Sequence, residues 1–294
     1  MNAPQHPAGP SPSAVRPESK EESGSRSHAH TWRWLPPSLA EGAWQMALDD
    51  WLLDRGEPAL RLYGWARPTL SLGRHQRRLP AHWSALAAAG MIEVVRRPSG
   101  GRAVLHGRGD LTYALIWPDP PPDRRVAYRL ACLWLQEAFA ALDLPLHFGG
   151  EAATARSPAS CFASATAADL VDAAGHKRIG SAQLWRRGRL LQHGSIQLRP
   201  DPALWQAIFP GTPPAAEPEA APLTCWGDTP LPPPGHPLMR ELLRSAKRHL
   251  PGGPGRLLCL PLQRQEAAAV TDRLAGYTEG LTLTSPEATM PRAT

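Results

Sequence analysis

The chain has 294 residues, a formal charge of +6, 34 prolines and four cysteines. It is long enough to bury a full core. It has no run of eighteen apolar residues and no hydrophobic stretch in its first thirty residues, so a membrane span and a secretory signal are unsupported and a cytoplasmic protein is expected. Cys132, Cys161, Cys225 and Cys259 form no Cys-x-x-Cys pair and no His-rich spacing, which argues against a zinc site or a disulfide framework and leaves four single thiols.

Residues 1–30 are rich in Pro, Ser, Gly, His and charge, and are expected to be a disordered tail. From Ser38, a plausible N-cap, to Arg55 the apolar residues Leu39, Trp44, Ala47, Leu48, Trp51 and Leu52 predict an amphipathic helix ending near Gly56. Strands follow at 60–63 and 69–73, then an alanine-rich helix at 80–90 and a β-branched strand at 92–95. Ala103 to His106 leads through Gly107-Arg108-Gly109-Asp110 to a strand over 111–117. A helix over 125–142 is expected to bury Val126, Leu130, Leu133, Ala138 and Leu142. Successive antiparallel strands are read at 168–171, 178–184 and 190–198, with a turn at Arg187-Gly188. A short helix at 200–209, a Pro-rich linker over 211–236, a small helical region over 237–280 and a frayed tail over 281–294 complete the expected organisation. The catalytic domain is read as 31–210.

Three stretches carry chemistry. The first is Arg96-Arg97-Pro98-Ser99-Gly100-Gly101-Arg102, followed by Ala103-Val104-Leu105-His106. Guanidinium forks, a hydroxyl and two glycines that let a ligand approach the backbone suit an anionic or carbonyl-bearing substrate. By itself, such a stretch is more often an ordinary turn with solvated charges, and it lacks the Gly-Lys-Ser/Thr of a P-loop.

The second joins Cys161, in a polar Ser/Ala loop, to Lys177 sixteen positions later, at the head of Lys177-Arg178-Ile179-Gly180-Ser181-Ala182-Gln183. A free thiol titrates near 8.5, and a neighbouring ammonium favours the thiolate by about 1.4 kcal/mol for each unit the pKa falls. Composition alone makes a lone cysteine a small buried hydrophobe. The loop position favours Cys161 over Cys132 on a helix and over Cys259 in an apolar run. The third stretch is Gln192-His193-Gly194-Ser195-Ile196, in which His193 is either a base or a satisfied strand histidine.

Taken together and in this order, with Leu111-Thr112-Tyr113 and Cys161-Phe162 between them, these motifs resemble the biotin/lipoate A/B protein ligase superfamily. The resemblance covers residues 31–210 and is nearest to the LipM type of octanoyl-[acyl-carrier-protein]:protein N-octanoyltransferase. It implies an α+β (mixed α/β) fold of the class II biotin/lipoate ligase kind, a largely antiparallel sheet packed with helices around a groove for a linear acyl chain. It implies Cys161 and Lys177 as catalytic residues. It also implies substrate contacts from Arg96, Arg97, Ser99, Gly100, Gly101, Arg102, His106, Gly180, Ser181, Ala182 and His193. Neither cofactor nor metal is implied, since the acyl donor brings its phosphopantetheine on an acyl carrier protein. The implied acceptor is a lipoyl-carrier protein, such as the glycine cleavage H protein or the lipoyl domain of a dehydrogenase acyltransferase subunit, with neither nucleic acid nor membrane.

Arg102 stands where adenylating lipoate ligases usually show a third glycine, which favours the transferase branch, and Gly107 stands where they show Asp. The alternatives are an ATP- and Mg-dependent lipoate ligase, an amidotransferase between carrier domains, and a non-catalytic lipoyl-domain-binding module. Trp185-Arg186-Arg187-Gly188-Arg189 is read as a solvated turn.

Overall fold

The computed structural model describes residues 31–77, 79–107, 109–149, 169–197, 199–212, 214 and 229–278. The tail at 1–30, most of the 211–236 linker and the segment 281–294 therefore lie outside the described residues. The strands are β1 (Thr31–Ala40), β2 (Ala59–Trp65), β3 (Thr69–Leu72), β4 (Glu93–Arg96), β5 (Val104–His106), β6 (Asp110–Trp117), β7 (His147–Phe148), β8 (Leu170–Val171), β9 (Lys177–Arg186), β10 (Arg189–Gln197) and β11 (Arg256–Cys259). The helices are α1 (Gly42–Arg55), α2 (Ala81–Ala88), α3 (Arg124–Ala140), α4 (Pro202–Ile208), α5 (Pro237–His249), α6 (Arg264–Thr271) and α7 (Ala275–Thr278). No helix among the described residues is long and apolar enough to cross a membrane.

Eight strands form one sheet in the order β11-β1-β2-β6-β10-β9-β8-β7, and β4-β3-β5 form a second, smaller sheet. Only β11–β1 and β1–β2 are parallel in the large sheet, so it is largely antiparallel as expected. The tight hairpin between β9 and β10 turns on Arg187 and Gly188, whose φ values of 50° and 76° match the right-handed twist of the strands it joins. Strand alternation along β10 then sorts its side chains. Leu190 and Ile196 pack under α3 and α5 with Tyr113 and Trp134, while Leu191 faces α1 with Met46, Leu53 and Tyr63. His193 and Ser195 share the face of Leu191, and this parity carries both toward the space between α1 and the small sheet. The far side of the small sheet is covered by Trp83, Trp205 and Phe209.

Three expectations are corrected. Helix α1 starts at Gly42 after Glu41, not at Ser38. Ser38 lies in β1, a strand the sequence reading missed because its apolar residues Trp32, Trp34 and Leu35 are followed by two prolines. Helix α3 begins as its Asp123 N-cap dictates, accepting from the backbone of Arg125 and Val126. It is rotated from the expected face, however. Val126, Leu130 and Leu133 are exposed, and the buried set is Ala127, Ala131, Cys132, Trp134, Leu135, Ala138 and Phe139. Burying Trp134 and Phe139 removes more apolar area from water than burying Val and Leu. The alanines between them let α3 lie close to the sheet and to α5, whose Ser245 donates to the Trp134 carbonyl at 2.6 Å. Finally, the region 237–280 is not helical throughout, because Arg256–Cys259 adds an edge strand to the large sheet beside β1.

Candidate active site

A cavity of about 300 Å³ lies between α1, the centre of the large sheet and the small sheet. Its walls include Met46, Tyr63, Trp65, Val104, Thr112 and Ser195. Of the residues singled out in the sequence, Arg97, Gly100, Gly101, His106, Gly180, Ser181, Ala182 and His193 line it together. The glycine pair reaches the cavity because Gly73 follows β3. A Cβ on Gly73 would stand 1.8 Å from the Gly101 carbonyl oxygen, so the loop can close only over a bare backbone.

Arg97 is buried, and its guanidinium donates to the carbonyls of Gly100, Arg102 and Ser71. It shapes the loop from inside rather than standing as a solvated charge. Arg102 is exposed, and Arg96 donates to the carbonyls of Gly73 and Gln76, facing a neighbouring cleft. At the hairpin the turn residues Arg187 and Gly188 are exposed as expected, whereas the flanking arginines are engaged: Arg186 pairs with Asp50 and Asp54, and Arg189 donates to the Asp54 carbonyl.

Two hydrogen-bonded histidines form the polar wall. His193 Nε2 lies 2.5 Å from Ser99 Oγ, and its Nδ1 lies 2.9 Å from Asp49 Oδ2. A carboxylate only accepts, so Nδ1 carries the hydrogen. Asp49 is fully buried on α1 and is held by Arg61 Nη1 at 2.7 Å and by the Tyr63 hydroxyl at 3.0 Å. Arg61 is itself buried, donates to Gln45 Oε1 and to the Gln45 carbonyl, and lies over the Tyr63 ring at 4.0 Å. Burial first, and then the Asp49 charge, raises the Tyr63 phenol well above its ordinary range, so it stays a donor.

His106, also in the cavity wall, repeats the pattern. Its Nδ1 lies 2.6 Å from Asp110 Oδ2, its Nε2 lies 2.8 Å from Ser71 Oγ, and Trp65 stacks on it at 4.0 Å. Asp110 also accepts from Ser195 Oγ at 2.7 Å. The carboxylate absent directly after the histidine, where Gly107 stands, is thus supplied four residues on.

Burial lowers the His106 pKa, outweighing the opposing pull of Asp110. The unfolded chain takes up this proton near pH 6.5, and the folded chain takes it up only at lower pH. Between those values the unfolded state binds more protons, so stability falls as pH drops below about 6.5. His106→Gln is expected to flatten that decline, by up to about 1.4 kcal/mol per pH unit across the window. Urea denaturation at pH 7.5 and 5.5 measures it, and identical declines in both proteins contradict the assignment.

Lys177 opens β9, three residues before the Gly180–Gln183 stretch that lines the cavity. It is buried, and its Nζ lies 2.8 Å from Asp169 Oδ1, itself buried. Cys161 and Cys225 lie outside the described residues. Cys132 is buried under Gln192, and its thiol is pushed up to about 12 by burial, so it is a core thiol rather than a nucleophile. Cys259 is exposed on the edge strand.

The sequence reading missed Asp49, Arg61, Ser71, Asp110 and Asp169. One signal was available: Asp49 falls between Met46 and Leu52 on the apolar stripe of α1, where an acid is out of place unless it is paired.

The Lipoyl protein ligase A/B catalytic domain matches residues 41–221, and the chain belongs to that family. Among its relatives, Octanoyltransferase LipM of Kyrpidia tusciae is 40% identical over 195 residues, 61% of this chain and 69% of that protein. Octanoyltransferase LipM of Geobacillus kaustophilus is 38% identical over 195 residues, 60% and 69% of the two chains. Among solved structures, the fold resembles lipoate-protein ligase A bound with ATP, with a TM-score of 0.63 and 17% identity over 84% of this chain and 94% of that one. It also resembles a putative lipoate protein ligase from T. acidophilum with bound lipoic acid, with a TM-score of 0.62 and 17% identity over 83% and 94%. At this level of identity the likeness is one of fold.

Proposed function

We propose that this protein is an octanoyltransferase of lipoate biosynthesis, passing an octanoyl group through a thioester on Cys161 to a lysine of a lipoyl-carrier protein. The observation that carries the reading is the 40% identity to Octanoyltransferase LipM across more than two thirds of that enzyme. The cavity supports it: at about 300 Å³, it is walled by Met46, Trp65 and Val104, and its polar groups are fixed by His193 and His106.

In the first step the Cys161 thiolate attacks the carbonyl carbon of an octanoyl thioester on acyl carrier protein. The new C–S bond forms, the bond to the carrier's pantetheine sulfur breaks, and that sulfur leaves and takes up a proton. In the second step the acceptor's ε-amine attacks the enzyme thioester and loses a proton, leaving an amide and a free Cys161. Thioester exchange is nearly isoenergetic and amide formation is downhill, so neither step calls for a nucleotide or another cofactor. Lys177 supplies positive charge for the thiolate and the developing oxyanion. The acceptor class is a lipoyl-carrier protein, the glycine cleavage H protein and dehydrogenase lipoyl domains being the candidates.

Intact-protein mass spectrometry after incubation with octanoyl-acyl carrier protein tests this. A hydroxylamine-labile octanoyl adduct is expected on the parent and absent from Cys161→Ala, with turnover lower by on the order of 10⁴-fold. Transfer that persists in Cys161→Ala and requires ATP would assign the protein to the ligases instead. Absence of adduct and product with every carrier would leave a lipoyl-domain-binding module.

A further inference from the structure

Beside the main cavity lies a second, open cleft of about 620 Å³, lined by Arg74, Arg96, Arg97, Arg186 and Arg273 against Asp50 and Asp272. Five arginines and two carboxylates thus line the cleft, the Arg97 guanidinium being taken up by the loop carbonyls of Gly100, Arg102 and Ser71. Arg97 lines both spaces, so the cleft adjoins the cavity across the Arg96-Arg97 strand end. Two of the arginines are held in place by carboxylates. Arg186 reaches Asp50 at 2.7 Å and Asp54 at 2.9 Å, and Arg273 reaches the same two carboxylates at 3.0 and 2.8 Å.

Arg273 uses only Nη1 for these bonds, leaving Nη2 and Nε without a partner among the described residues. Arg96 bonds only to carbonyl oxygens, so its charge has no counter-ion among the described residues. Arg74 is exposed and likewise has no ion pair there. The result is a fixed fork with unused donors beside two cations without an ion pair among the described residues, in a cleft that shares Arg97 with the cavity.

We infer that this cleft is an anion subsite that holds the phosphate of the acyl donor's pantetheine arm while the acyl chain occupies the cavity. The inference rests on the transferase reading and adds to it a subsite for the donor. Phosphate oxygens accept from guanidinium forks in paired, charge-assisted bonds, and pre-fixed arginines lose little freedom in making them. Adjoining the cavity at Arg97, the subsite would recognise the donor arm by its charge and leave the cavity to recognise the chain. The acceptor lysine domain has no phosphate, so the same cleft would distinguish donor from acceptor.

The test compares octanoyl-phosphopantetheine with octanoyl-pantetheine as donors, because the ratio of their kcat/KM values reads the phosphate alone. The parent is expected to prefer the phosphorylated donor by about tenfold, on the scale of one charge-assisted hydrogen bond. The preference should shrink as salt is raised. Arg74→Glu, at an exposed position, and Arg273→Gln are expected to bring the ratio close to one. Octanoyl-coenzyme A and octanoyl-acyl carrier protein then separate the two sources of a phosphate-bearing arm by their relative kcat/KM. A ratio near one in the parent, or an undiminished ratio in both variants, overturns the subsite. If neither donor supports transfer, the transferase reading fails instead. Titration calorimetry then decides the subsite separately: phosphopantetheine binding tighter than pantetheine supports it, and equal binding overturns it.

Discussion

Replacing Lys177 by methionine is expected to lower octanoyl transfer by about 10²- to 10³-fold, the usual loss when one charge-stabilising group is removed from an acyl-transfer site. The single variant mixes two effects, since it also takes a cation from the buried Asp169 at 2.8 Å. Breaking a buried pair from one side costs about 3–5 kcal/mol, whereas replacing both partners by apolar groups is often close to neutral. Lys177→Met with Asp169→Leu therefore separates the roles. The double variant should regain most of the lost melting temperature yet still transfer octanoyl poorly. If transfer returns with stability, Lys177 is a structural cation and its catalytic assignment fails.

Asp49→Ala is expected to have the largest effect on stability. Asp49 is wholly buried and accepts from Arg61, Tyr63 and His193, so its removal strands a guanidinium in the core. The cost should be about 3–5 kcal/mol, or on the order of 10 °C in Tm for a chain of this size. Transfer should weaken as well, because His193 loses the group that fixes its ring in the cavity wall. Asp50→Ala, one residue on, is the comparison: Asp50 lies nearer the surface and shares Arg186 and Arg273 with Asp54, so its loss leaves neither cation alone. Scanning calorimetry of the two variants checks the contrast, and equal shifts would contradict the role given to the Asp49 network.

The sequence by itself determined the class of protein, most of the strands and eight of the residues that line one cavity. These signals are local or ordered along the chain: the Arg-Arg-Pro-Ser-Gly-Gly run, the Lys-Arg-Ile-Gly-Ser-Ala stretch, and the His-Gly-Ser of β10. Helix α3 marks where local reading stops. Its periodicity allowed two apolar faces, and only the need to bury Trp134 against the sheet and α5 chose between them.

The polar frame of the site was decided by the tertiary structure alone. His193 meets Ser99 across 94 residues of sequence and Asp49 across 144. No pattern in a window of ten or twenty residues encodes such pairings. They follow from β10 lying in mid-sheet with α1 packed over it, where burial obliges each charge to find a partner wherever the chain brings one.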